Sequence, residues 1–259
     1  MKEQLLNTKS TAHAGFTLVE VMVAIAILGI LISGIVSAFS GQMKIHGTQQ
    51  KMCLMQQNAR AVMHTMAREI RMAGYDPKGC AKTGIRPDPE ATDTITFSMD
   101  FTGGQSDGVD NDEDGAKDNW QEQIFGDGTA DDPNEVVTYA LKNGNLTRAT
   151  GNGSPQVLAA HIDALDFEFF GLNPAAPSCG GACRLNQAEA HDRPADIRFI
   201  QVSIVAAAGH SAQPRSTAYD NKIYRNQQGR IILDKSAAPD TGRRMLLTTQ
   251  INLRNMGLK

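Results

Sequence analysis

Two hydrophobic patterns lie end to end at the start of the chain. From Phe16 to Phe39 nearly every position is apolar, and Glu20 is the only charge. At 1.5 Å per residue this run makes a helix of about 36 Å, enough to cross a bilayer core. After Gly41 the pattern changes. Met52, Met55, Ala59, Val62, Met66 and Ile70 recur at spacings of three and four, the apolar stripe of a helix lying on a core. Gly74, with Pro77 beyond it, supplies a stop. The pattern therefore predicts one helix from about Thr17 to Ala73, roughly 85 Å long, with Gly29, Gly34 and Gly41 as places to bend.

The remainder alternates. ITFSMDF (95–101), EVVTYALKNGNLTRAT (135–150), HIDALDFEFF (161–170), DIRFIQVSIVAAA (196–208), IILD (231–234) and MLLTTQINLR (245–254) read as strands. Asn143-Gly144 between two alternating runs signals a tight hairpin. The fold class expected is α+β: a long amino-terminal helix whose amphipathic half packs on an antiparallel β-sheet domain. The segments are 1–15 (leader), 16–40 (apolar helix), 41–74 (amphipathic helix) and 75–259 (globular domain).

Composition adds bounds. The 259 residues are 41% hydrophobic and 20% charged, with a net charge of −3. This suits one soluble domain plus an anchor, and gives no reason to expect a nucleic-acid partner. Lys44, Lys51, Arg60, Arg68 and Arg71 oppose only Glu69 on the amphipathic half, which reads as a solvated face or, alternatively, as a basic surface that meets acidic neighbours in a helical assembly.

The leader MKEQLLNTKSTAHAG places Lys2 and Lys9 against Glu3. This slight positive excess favours a cytoplasmic amino terminus, with the rest outside the cytoplasmic membrane. The distinctive junction is Gly15-Phe16, on the leader side of the apolar run rather than after it, where an ordinary secretory signal is cut. GFTLVE (15–20) resembles the type IV prepilin signature. MQQNARAVMHTMAREIRMAGYDP (55–77) and RRMLLTTQINLRNMG (243–257) are similar to the corresponding parts of PilW-type minor pilins of type IV pilus systems. The resemblance implies a pilin fold, cleavage by prepilin peptidase between Gly15 and Phe16, and methylation of the new Phe16 amino group. It also implies an assembly role for Glu20 and, as partners, the major pilin, other minor pilins, the peptidase and a tip adhesin. The implied location is the inner membrane, crossed once, and then the periplasm or a cell-surface pilus.

Between Asp100 and Glu135 there are twelve acidic residues and one lysine, Lys117. So many like charges repel unless cations are present. Asp110, Asp112, Asp114, Gly115 and Asp118 follow positions 1, 3, 5, 6 and 9 of a D-x-D-x-D-G calcium loop, with the Ala116 carbonyl at position 7. Position 12 is Gln121, and Glu122 comes one residue late. The segment resembles the DGxDNDxDG calcium loops of secreted bacterial and thrombospondin-type proteins, in which Asp107 also takes part. Calcium is the expected cofactor.

Disulfides are permitted outside the cytoplasm. Cys179 and Cys183 sit in SCGGACR, where the chain can fold back on itself, and Cys80 is an alternative partner for that loop. A Cys53–Cys80 bridge is strained: about 30 Å of helix follows Cys53, whereas Gly74 to Cys80 returns only about 24 Å. The C-x₃-C spacing, with no second pair nearby, argues against zinc.

Gly104 to Gly108 matches G-x-S-x-G around Ser106, but an acidic loop follows where a nucleophile elbow needs a helix. Asn145-Leu146-Thr147 is a glycosylation sequon inside a hairpin, read as a coincidence. The function expected is therefore structural, a minor pilin and not an enzyme. A type II secretion pseudopilin and a membrane-tethered calcium-binding adhesin are the alternatives.

Overall fold

A computed structural model describes residues 15–103, 108–110, 115–117, 126–172, 183–208 and 220–256. The chain divides into two compact units, Met1–Gln50 and Lys51–Lys259, and helix α1 (Leu18–Ile70) contributes to both. In the first unit the helix is unbroken through Gly29, Gly34 and Gly41, and its apolar side chains are exposed, Phe16 at 88% and Ile30 at 73%. By length and composition this stretch is able to cross a membrane.

In the second unit α1 buries Met55, Ala59, Val62, Met63, Met66, Ala67 and Ile70 in a core built with two antiparallel sheets. Met52 is only half-buried. The helix ends at Ile70, three residues before the predicted end. A turn then leads to Gly74, whose positive φ of 79° suits a residue without a Cβ. A Cβ at Gly74 would stand 2.7 Å from the Met256 sulfur, so the helix exit and the carboxyl-terminal end close on each other there.

The first sheet is a five-stranded meander of β1 (Ile85–Pro87), β2 (Thr94–Ser98), β3 (Val136–Lys142), β4 (Asn145–Thr150) and β5 (Gln156–Ala160), in that order. Asn143 and Gly144 both have positive φ, 51° and 71°, as a two-residue type I′ turn requires, and they pair Lys142 with Asn145. The second sheet has four strands in the order β11-β8-β6-β7. Here β6 is Ile162–Gly171, β7 is Cys183–Leu185, β8 is Ile197–Ala208 and β11 is Arg243–Asn252. A short helix, α2 (Gln187–Asp192), follows β7 and is closed by an Asn186/Glu189 capping box. The expected β-sheet domain is thus two separate sheets, with β9 (Ile223–Arg225) and β10 (Ile231–Asp234) as a further hairpin.

Alternation sorts the side chains of β6 and β8. Leu165, Phe167, Phe169, Ile200, Val202 and Ile204 enter the core, as do Phe97 and Tyr139 from the first sheet. The opposite face of the second sheet is also covered, but by polar contacts. Asp166 and Glu168 are buried there and held by Asn226 and Arg230. Arg244, 1% exposed, pairs with Asp163, Asp220 and Asp240. Satisfied in this way, buried charges are tolerated.

One expectation is corrected. Cys80 is not a disulfide partner: it is an exposed free thiol in the turn after the helix. There its amide donates to Asp76 Oδ1 at 3.2 Å, and its thiol points back to the Lys78 carbonyl. Cys183 is disulfide-bonded, Cys53 is free, and Cys179 lies outside the described residues. Glu69, the one acid opposing the basic residues of this half, turns inward to Tyr139 and Arg148. Lys51, Arg60, Arg68 and Arg71 are exposed.

Candidate functional site

The amino-terminal junction is built on the start of α1. Gly15, Phe16 and Thr17 precede the helix, and all three are exposed. A Cβ placed on Gly15 meets nothing within 4 Å, so nothing in the fold itself demands glycine there. Thr17 caps the helix. Its amide and its hydroxyl donate to Glu20 Oε2 at 2.9 and 3.0 Å, and the Glu20 amide donates back to Thr17 Oγ1 at 3.3 Å. This is a reciprocal capping box, and it uses a carboxylate at the positive end of the helix dipole. Glu20 stands out in the sequence as a charge in an apolar run; Thr17 is legible only through the T-x-x-E cap signal before that run.

Of the predicted calcium loop, Asp107, Asp112, Asp114, Asp118 and Glu122 lie outside the described residues, as does Ser106. Asp110, Gly115 and Ala116 are described. The Gly115 amide donates to Asp110 Oδ2 at 2.8 Å, so positions 1 and 6 of the motif meet. Asp110 Oδ1 is buried and has no protein partner. Gly115 has φ of 90°, which explains a glycine at that turn. In the sequon, the Thr147 hydroxyl is buried and donates to the Ala140 carbonyl.

Acidic residues also converge where the acidic segment leaves and rejoins the first sheet. Gly103 and Gly126 form an antiparallel bridge. Glu135 is fully buried. Its Oε1 accepts from the Phe101 and Thr102 amides and the Thr102 hydroxyl, and its Oε2 accepts from the Asp132 amide. Asp100 is also fully buried. Its Oδ2 accepts from the Gly128 amide at 3.0 Å, while Oδ1 has no partner. Burial pushes the Asp100 carboxyl above its ordinary range, and the Glu135, Asp127 and Asp76 charges add to this against the Gly128 amide. Asp132 is raised likewise, by burial and then by Glu135, Asp127 and Asp131. Among the described residues no three His, Cys, Asp or Glu side chains are already grouped as a metal centre.

Known proteins bear on this architecture. Residues 11–36 match the prokaryotic N-terminal methylation motif, which frames Gly15, Phe16 and Glu20. Residues 48–225, more than half of the chain, match the family described as prepilin peptidase-dependent protein B. Among solved structures, a type IV-like pilin from Thermus thermophilus is similar. It is 13% identical, with 78% of this chain and 97% of that chain covered, at a TM-score of 0.41. No curated protein matches. With its methylation motif and a family match over most of the globular unit, the chain belongs to the prepilin peptidase-dependent protein B family.

Proposed function

We propose that the chain is a minor pilin of a type IV pilus. Prepilin peptidase cuts it between Gly15 and Phe16, the new amino group is methylated, and the mature chain enters the pilus or its initiating or tip complex. PilW-type pilins are the relatives it would act like, and its role is structural rather than catalytic. One observation carries the reading most: an apolar helix with exposed side chains begins at a junction whose glycine the fold does not need, with Glu20 capping its first turn. Before assembly the helix anchors the chain in the inner membrane, with the leader in the cytoplasm. Its partners are then the peptidase, the major pilin, other minor pilins and a tip adhesin. Mass spectrometry of sheared surface filaments tests this. It should find peptides of this chain beginning at methylated Phe16, and their absence from filaments that contain the major pilin would overturn the reading. Assembly into a secretion pseudopilus is the competing outcome, identified by loss of secretion rather than of pili when the gene is deleted.

A second reading concerns the 107–122 loop, which we propose binds calcium through Asp107, Asp110, Asp112, Asp114, the Ala116 carbonyl, Asp118 and Glu122. The Gly115–Asp110 hydrogen bond and the partnerless Asp110 Oδ1 favour it. Calcium should raise the melting temperature of the wild-type chain and not of Asp110→Ala with Asp112→Ala. No shift in the wild type ends this reading.

A further inference from the structure

A different set of carboxylates, at the base of the acidic segment, suggests a ligand by what surrounds it. Directly opposed residues of an antiparallel bridge project their Cβ atoms to the same face. At the Gly103–Gly126 bridge both side chains are missing, and carboxylates fill the space. A Cβ on Gly126 would lie 2.1 Å from Asp100 Oδ1. A Cβ on Gly103 would lie 2.3 Å from Asp132 Oδ2 and 2.8 Å from Asp127 Oδ2. Oxygens from three aspartates therefore face one side of two glycines.

Their neighbours are already committed. Glu135 accepts from four donors; Asp127 Oδ1 accepts from the Thr129 amide, and the Thr129 hydroxyl is shared between Asp127 Oδ1 and Asp131 Oδ1, which leaves Asp127 Oδ2 at the bridge. Asp100 Oδ1 is a fully buried oxygen without a partner, directed to the bridge. An unpaired carboxylate oxygen among like charges is costly to bury.

We propose that a calcium-class divalent cation binds on this face of the Gly103–Gly126 bridge, held by Asp100 with Asp127 and Asp132. Hard cations of this class take six to eight oxygens and accept backbone carbonyls and water among them. Among the described residues no three such side chains form a metal centre by themselves, so carbonyls and water complete the shell. The ion would tie residues 100–103 to residues 126–132, clamping both ends of the acidic segment to the first sheet. This site is separate from the 107–122 loop and stands or falls without it.

Equilibrium dialysis of the mature full-length chain in detergent against radioactive calcium tests the site. Four forms are compared: wild type, Asp110→Ala with Asp112→Ala, Asp100→Asn and Asp132→Asn. Asn at 100 still accepts from the Gly128 amide and removes only the charge. Asp100→Asn should lose one calcium equivalent that the double loop variant retains, and Asp132→Asn should weaken the same equivalent at least tenfold. Wild-type calcium binding in both Asp100→Asn and Asp132→Asn overturns the site and leaves the loop reading intact. A wild type that binds no calcium overturns both. If Asp100→Asn loses its near-ultraviolet circular dichroism, the half-buried Asp132 decides the matter alone.

Discussion

The backbone amide and the hydroxyl of Thr17 both donate to one oxygen of Glu20, Oε2, at 2.9 and 3.0 Å. A carboxylate in an apolar helix is expensive to place in hydrocarbon, by roughly 2.5–3.5 kcal/mol on insertion scales. Here the first turn satisfies it locally, beside the amino group that cleavage would create at Phe16. Glu20→Ala removes one half of the reciprocal cap, too little to unfold a helix this long. If Glu20 acts in assembly as proposed, the variant should be processed as wild type yet be depleted from sheared filaments. Immunoblots of membranes and filaments measure the ratio, and equal incorporation contradicts an assembly role.

Gly15 supports a different expectation. Since a Cβ there meets no atom within 4 Å, Gly15→Ala leaves the fold alone and tests recognition by the peptidase. The unprocessed chain should accumulate, visible on a gel as a band heavier by the leader. A normal-sized mature band would refute cleavage at Gly15-Phe16.

Within the globular unit, Glu69 joins α1 to the first sheet. Tyr139 donates to its Oε2 at 2.6 Å and Arg148 at 3.0 Å, and the Tyr139 ring stacks on Phe97 with centroids 6.2 Å apart. Tyr139→Phe keeps the ring and deletes a hydrogen bond to a charged group, about 1.5–3 kcal/mol. For a unit of this size the melting temperature should fall by roughly 3–12 °C. Thermal circular dichroism measures it, and a change below about 1 °C would show that Arg148 alone holds Glu69.

How much of this was legible in sequence depended on the kind of signal. The α1 stripe from Met55 to Ile70 and the Asn143-Gly144 hairpin rest on period and turn chemistry, and both stand as read. The strand β1 was missed because Ile-Arg-Pro is short and ends on a proline, which only an edge strand accommodates. The strand β5 was missed because Val157 and Leu158, on opposite faces, are both exposed, so no alternation marks it. At the site, Gly15, Phe16 and Glu20 were visible as a motif. The inward turn of Glu69 and the convergence at Gly103–Gly126 depend on contacts between residues far apart in the chain, which no local pattern encodes.

The Arg244 cluster gives a pH dependence whose sign follows from its carboxylates. Hydrogen bonding from Arg244 holds Asp240 well below its ordinary range. Burial alone would raise Asp220, but hydrogen bonds from Tyr224 and Arg244 outweigh it and leave it lowered as well. A carboxyl whose folded pKa is depressed contributes stability above its unfolded value, and that stability is lost as pH falls through the folded value. Asp166, pushed up chiefly by burial, has the opposite sign and gains from acidification at higher pH. Arg244→Met removes the shared partner and leaves the three aspartates crowded, so the variant benefits from protonation where the wild type suffers. Its deficit in urea midpoint should therefore be large at about pH 7 and shrink by about pH 3. A deficit that stays constant over that range would mean that Arg244 stabilises by packing and not by its charge.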